Sequence, residues 1–255
     1  MKQQFMKTAF FDFDGVIVDT EPIYDIYWNE AGKRYQTGIP NFASHIKGTT
    51  LPYILEKYFS DRSEEFKEKV IRESMEFEQQ MPFPPVPGAM EFIHLLKSKD
   101  VKVGLVTSSD DAKLKRAFRL LKLDNLFDTV VSADRITKGK PDPMCYLLAA
   151  SDLHVSPSDS LVFEDSFAGI QAGTNAGMRV IGLSTTNSEE SLKDKVYQVI
   201  PDFQNITFEE YKQWKNGHKN KKGMCRHSPS YCTKIRLLKN YIRHGQPTLR
   251  HPNPL

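Results

Sequence analysis

Cysteine is scarce: Cys145, Cys225 and Cys232 are the only three in 255 residues. That is too few for a disulfide framework, so stability must come from a buried core, and a reducing cytoplasm is the expected compartment. No stretch approaches the roughly 18 apolar residues that a membrane-spanning helix needs, which excludes a membrane partner of that kind. The apolar run Ala9-Phe10-Phe11 is cut at once by Asp12 and Asp14 and makes a poor signal peptide. Acid is missing from one region altogether. From Lys215 onward there are ten Lys or Arg and no Asp or Glu, whereas the preceding 214 residues hold 25 basic against 32 acidic residues. The net charge of +3 therefore conceals an acidic body and a basic tail.

What is present in the body is an ordinary globular composition, 39% hydrophobic and 26% charged, with an α/β pattern. Short apolar runs at 8–11, 101–106, 160–163 and 179–183 read as buried strands. Helical patterns at 89–97, 112–121 and 142–150 lie between them. Strands alternating with helices predict a Rossmann-like parallel sheet covered on both faces. From 22 to 85 the pattern changes to helical spacing alone. Tyr24, Tyr27, Trp28 and Ala31 form one candidate apolar face, and Phe66, Val70, Met75 and Phe77 another. The stretch closes on Pro82-Phe83-Pro84-Pro85-Val86-Pro87-Gly88, a stiff extended connector. The expected organisation is a core of 1–21 and 86–214, a small all-helical cap at 22–85 inserted after the first strand, and a basic extension at 215–255.

Four groups fall just beyond strand ends, where an α/β sheet places its site. They are Asp12-Phe13-Asp14-Gly15-Val16, Thr107-Ser108-Ser109, Lys140-Pro141 and Glu164-Asp165. Two carboxylates two residues apart share a face of an extended strand end, and Gly15 then lets the chain turn. Carboxylates alone would repel a phosphate. With Mg²⁺ between them, a hard cation can take carboxylate and phosphate oxygens together, while Lys140 and the Thr107 hydroxyl hold the remaining oxygens. Thr107 could also cap the following helix. Gly169, Gly173 and Gly177 recur every four residues, but with Ala172 and Ala176 they read as a small-residue stripe for close packing, with Gly177 ending the helix, not as a phosphate loop.

Taken in order, these motifs resemble the four signatures of the haloacid dehalogenase superfamily. Phe11 to Thr20 is similar to the first, Thr107 to the second, Lys140-Pro141 to the third and Glu164-Asp165-Ser166 to the fourth. The chain looks most like the branch of β-phosphoglucomutase and its related phosphatases, in which a helical cap follows the first signature. The resemblance implies that Asp12 is the nucleophile and Asp14 the general acid and then base. It implies Mg²⁺ held by Asp12, the Asp14 backbone carbonyl and Asp165, with Glu164 direct or through water. Thr107, Ser108 and Lys140 would grip the transferring phosphoryl. First-step acid catalysis requires a proton on Asp14, so its environment must raise its pKa or a neighbour must hold the proton. Asp19 is expected to be structural.

The cap separates the possible activities. Where the mutase has a sugar-assisting His, this chain has Tyr24. Where the mutase has a phosphate-gripping Arg, three residues after the cap-loop Gly48, it has Leu51. A cap lysine is also absent from 73–96. That favours hydrolysis of a small phosphorylated metabolite, a sugar phosphate above all, over mutase action. Lys47, Gly48 and Tyr24, with His45, remain candidate cap contacts. The tail, with Tyr231, Tyr241 and four His, offers nucleic acid an electrostatic footing and a weak Cys225/His227/Cys232 zinc pattern, but its composition favours a disordered extension. No sequence feature specifies an oligomeric state.

Overall fold

All four residues of strand β1 (Thr8–Phe11) are buried, which a strand achieves only inside a sheet covered on both faces. In the computed structural model, which describes residues 8–46 and 51–216, β1 is central. It pairs in parallel with β2 (Lys102–Val106) on one side and β4 (Ser160–Glu164) on the other. With β3 (Thr129–Val131), β5 (Arg179–Leu183) and β6 (Gln198–Ile200), the sheet has six parallel strands in the order β3-β2-β1-β4-β5-β6. The expected α/β class holds. The sequence reading missed β3 and β6. Both are three-residue edge strands, too short for an apolar run to stand out.

Side chains alternate across the sheet. Ala9 and Phe11 face a cluster with Phe92, Ile93 and Leu96 of α5 (Ala89–Lys97), Leu114 and Ala117 of α6 (Asp111–Leu121), and Tyr211 and Trp214 of α10 (Phe208–Asn216). Phe10 faces the opposite cluster, with Tyr146 and Ala149 of α7 (Met144–Asp152), Ile170 and Ala172 of α8 (Phe167–Asn175), and Leu192 of α9 (Glu189–Leu192). α7 starts at Met144 and not at 142, because Pro143 sits at its start and the Asp142 carboxylate accepts the Met144 N–H.

Between β1 and α5 the described residues form four helices, α1 (Glu21–Arg34), α2 (Phe42–Ile46), α3 (Leu51–Phe59) and α4 (Glu64–Gln80). They share their own hydrophobic cluster, built on Trp28, Tyr35, Phe42 and Phe59 with Val70. Tyr27 stacks on Phe77 with ring centroids 4.0 Å apart. Met75 departs from the expected face. It is 54% exposed and lies at the cavity described below. The two connectors to these helices run side by side, with Asp19 N–H donating to Pro84 O and Val86 N–H to Ile17 O. Among the described residues no helix is long and apolar enough to cross a membrane. Lys47, Gly48 and the tail from 217 to 255 lie outside the described residues.

Candidate active site

The sheet order reverses at β1, because β2 lies on one side of it and β4 on the other. Beyond the carboxyl ends of these strands is the crevice where α/β folds bind ligands. Asp12 extends the ladder by one step, its N–H donating to Phe163 O at 3.0 Å, and Thr107 extends β2 through its N–H to Val131 O at 2.9 Å. Asp165 follows β4 directly. A cavity of about 890 Å³ opens here, lined by Asp12, Asp14, Thr107, Ser108, Lys140 and Asp165 on the sheet side.

Lys140 joins three chain segments. Its Nζ lies 2.7 Å from Asp12 Oδ1 and 2.6 Å from Glu164 Oε1. Glu164 is fully buried and has its acceptors taken up by protein donors. Tyr146 Oη donates to Oε1 at 2.9 Å, and Ser166 Oγ and the N–H groups of Asp165 and Ser166 reach Oε2 at 3.0–3.3 Å. Glu164 therefore anchors Lys140. Gly169 makes room for it, because a Cβ there would come within 1.7 Å of Glu164 Oε1. The small-residue stripe thus has a further purpose beyond packing. Gly173 meets Val162 and Val180, and Gly177 ends the helix at φ +75° as expected.

Carboxylate oxygens of Asp12, Glu164 and Asp165 lie within 4.8 Å of one another. Burial pushes the Asp12 carboxyl up to about 7, with the Lys140 ammonium opposing the rise and the Glu164 charge adding to it. Burial raises Asp165 well above the usual carboxylate range, reinforced by Glu164 and Asp12. Burial disfavours the Lys140 ammonium, but its two carboxylate partners outweigh this and raise its pKa. Two of the three buried acids share the buried Lys140 ammonium, and Asp165 Oδ1 is buried without a hydrogen-bond partner among the described residues. A hard divalent cation fits that set of donors. Thr186 Oγ1 donates to Asp165 Oδ2, and Asn187 Nδ2 donates to Asp165 O at 2.9 Å. Gly15, at φ +77°, passes so close to Asp165 that a Cβ would overlap its carboxylate.

Asp14 points elsewhere. Lys113 Nζ lies 2.8 Å from both of its oxygens, Thr20 donates to Oδ1 at 2.6 Å and Ser109 to Oδ2 at 2.8 Å. Burial favours the neutral acid, but Lys113 and the two hydroxyls prevail and hold the pKa below the usual carboxylate range. Of the two conditions expected for a general acid, a raised pKa or a neighbour that holds the proton, the first is not met. The cation responsible, Lys113, was not among the sequence candidates. Helix capping is also corrected. Asp110, not Thr107, caps α6 by accepting the Lys113 N–H at 2.8 Å, while Thr107 Oγ1 accepts the Ser109 N–H.

Residues 9–183 match the model of the haloacid dehalogenase-like hydrolases. The chain belongs to that family. It is 34% identical over 187 residues to a phosphorylated carbohydrates phosphatase of Thermotoga maritima, covering 70% of this chain and 85% of that protein. It is 32% identical over 192 residues to β-phosphoglucomutase of Bacillus subtilis, covering 70% and 83%. A solved haloacid dehalogenase hydrolase from Entamoeba histolytica superposes with a TM-score of 0.71 at 27% identity, over 82% of this chain and 99% of that one.

In this haloacid dehalogenase-like hydrolase the roof of the cavity comes from the inserted helices. Tyr24, Tyr27 and Trp28 of α1, Ile46 of α2, Leu51 and Ile54 of α3, and Glu78 of α4 line it. His45, a sequence candidate, is exposed on α2 and does not line the cavity. Among the described lining residues the cations are Lys113 and Lys140, and each already faces carboxylates.

Proposed function

We propose that the chain is a Mg²⁺-dependent phosphatase that hydrolyses a small phosphate ester, a sugar phosphate by class, through an aspartyl-phosphate on Asp12. Residues 1–21 and 86–214 serve as catalytic core and 22–85 as a cap over the site. The observation that carries this reading is the convergence of Asp12, Lys140 and Asp165, with Thr107 beside them, at the base of a cavity. Asp12, Asp165 and the Asp14 backbone carbonyl would hold the cation, with Glu164 contributing its charge from behind. When bound, the cation keeps Asp12 ionised and offsets charge on the phosphoryl oxygens.

An oxygen of Asp12 forms a bond to phosphorus as the ester P–O bond breaks. Thr107, Ser108 and Lys140 hold the phosphoryl oxygens as charge moves among them. Asp14, ionised at rest, takes up a proton from solvent as the substrate binds and gives it to the leaving oxygen. It then takes one from the water that attacks phospho-Asp12, which releases phosphate and restores the carboxylate. The ionised Asp14 of the structure is the form needed for this second step.

A neutral, hydroxylated leaving group suits the roof better than a second phosphate does. Leu51 occupies the position that the resemblance assigns to a phosphate-gripping arginine, and it lines the cavity. This favours phosphatase over mutase. The test is a phosphate-release screen over phosphorylated metabolites with Mg²⁺, using Asp12→Asn as control. β-Glucose 1-phosphate belongs in the panel, scored for glucose 6-phosphate as well as free phosphate. Release abolished by Asp12→Asn supports the reading. Absence of release across the panel, or release unaffected by the substitution, overturns it.

A further inference from the structure

We infer that Lys113 is a positioning residue for acid–base transfer at Asp14, an assignment that rests on the reading of Asp14 given above. Lys113 lies in the first turn of α6, where the positive end of the helix dipole disfavours a cation. It is nonetheless only 12% exposed at its side chain and directed into the site. Its Nζ is equidistant from the two Asp14 oxygens, at 2.8 Å. Thr20 and Ser109 each bind one of those oxygens. Three donors on three different segments therefore fix both the position and the rotation of one carboxylate.

The same ammonium reaches the inserted helices. It is 3.4 Å from Tyr24 Oη, which donates to Glu78 Oε1 at 2.9 Å. One turn further along α6, Arg116 donates to Met81 O at 2.6 Å, just beyond the end of α4. Lys113 thus links Asp14 to α1 and α4. This gives Tyr24 a second place in the structure beyond lining the cavity.

A positioning role predicts a particular pattern of damage. Proton transfer matters most when the leaving oxygen is basic. p-Nitrophenyl phosphate loses a stable phenolate and needs little help, whereas phenyl phosphate loses a phenolate about as basic as that of tyrosine, with a pKa of about 10. With Mg²⁺ present, Lys113→Met is expected to lower kcat/KM on phenyl phosphate about ten- to a hundredfold, because kcat/KM reads the steps up to loss of the phenolate and not the later hydrolysis of phospho-Asp12. That is part of the roughly 10²–10⁴ that a positioned acid–base group supplies. On p-nitrophenyl phosphate the loss in kcat/KM should stay within about threefold. Lys113→Arg, which keeps the charge and guards against a folding artefact, should recover most of the phenyl phosphate activity.

Asp14→Asn run in parallel separates the two ideas. If Asp14→Asn shows the leaving-group dependence and Lys113→Met does not, the positioning role is wrong and the acid–base reading stands. If neither shows it, both fall. Equal losses of kcat/KM by Lys113→Met on the two esters, with no recovery in Lys113→Arg, would reduce Lys113 to a structural contact and overturn the inference.

Discussion

The Lys140 ammonium lies 2.7 Å from Asp12 Oδ1, with only 6% of the lysine side chain exposed. A buried cation between carboxylates is held by them and holds them in turn. Removing one partner of such a pair costs about 3–5 kcal/mol when the remaining charge cannot be hydrated. Lys140→Met should therefore melt earlier than the wild type. It should also lose about a hundredfold or more in kcat, as expected when a preorganised cation is removed from a developing charge. Thermal melting and phosphate release measure the two effects. A variant within about threefold of wild-type turnover would remove Lys140 from the chemistry.

The pH dependence of cation binding follows from the same cluster. Asp12 titrates at about 7 in the folded chain against an ordinary 3.8, and Asp165 is raised well above that ordinary value. Both carboxyls bind protons more tightly folded than unfolded. Their contribution to stability is fully present below the unfolded value and is lost as pH rises through about 7. A divalent cation takes the place of those protons, so its stabilising effect grows over the same window. At a concentration a hundredfold above Kd the expected rise in Tm is about 5–10 °C. Melting with Mg²⁺ or with chelator, at about pH 5.5 and about pH 7.5, reads this. The rise should be larger at the higher pH, and a rise of equal size at both would count against a carboxylate site.

Gly169 and Gly173 look equivalent in the sequence and differ in the structure. A methyl group on Gly169 would collide with Glu164, whose carboxylate is pinned by Lys140, Tyr146 and Ser166. One on Gly173 would sit 3.0 Å from a Val180 methyl, a contact that a small shift relieves. Gly169→Ala should cost about 1–3 kcal/mol and displace Lys140, with a fall in turnover. Gly173→Ala should leave turnover close to wild type. Equal behaviour of the two variants would mean that Glu164 does not hold Lys140 in place.

These contrasts mark where the sequence was legible. β1, β2, β4 and β5 announce themselves as short apolar runs, and the residues just beyond β1, β2 and β4 include Asp12, Thr107 and Asp165. Thr186 and Asn187 follow β5 in the same way. Ser184-Thr185-Thr186-Asn187-Ser188 reads as an ordinary polar loop, and only its place after a strand marks these two residues. Lys113 was hidden for a different reason. With Lys115 and Arg116 it looks like the solvated side of an amphipathic helix, and only the fold brings it to a carboxylate 99 residues away.

Leu51 offers a test of the proposed preference for hydrolysis over isomerisation. A mutase must keep a bisphosphate long enough to turn it around, which requires a cation on the distal phosphate. Leu51 lines the cavity at the position where the resemblance to β-phosphoglucomutase calls for that cation. Glucose 1,6-bisphosphate should therefore inhibit the wild type weakly. Leu51→Arg should lower its inhibition constant about tenfold, since a charge-assisted hydrogen bond contributes about 1.5–3 kcal/mol. The substitution replaces a half-buried wall residue, so melting should change little. Unchanged inhibition in a well-folded Leu51→Arg would show that the distal phosphate of a bisphosphate does not reach this wall, and that the preference for hydrolysis has its origin elsewhere in the cavity.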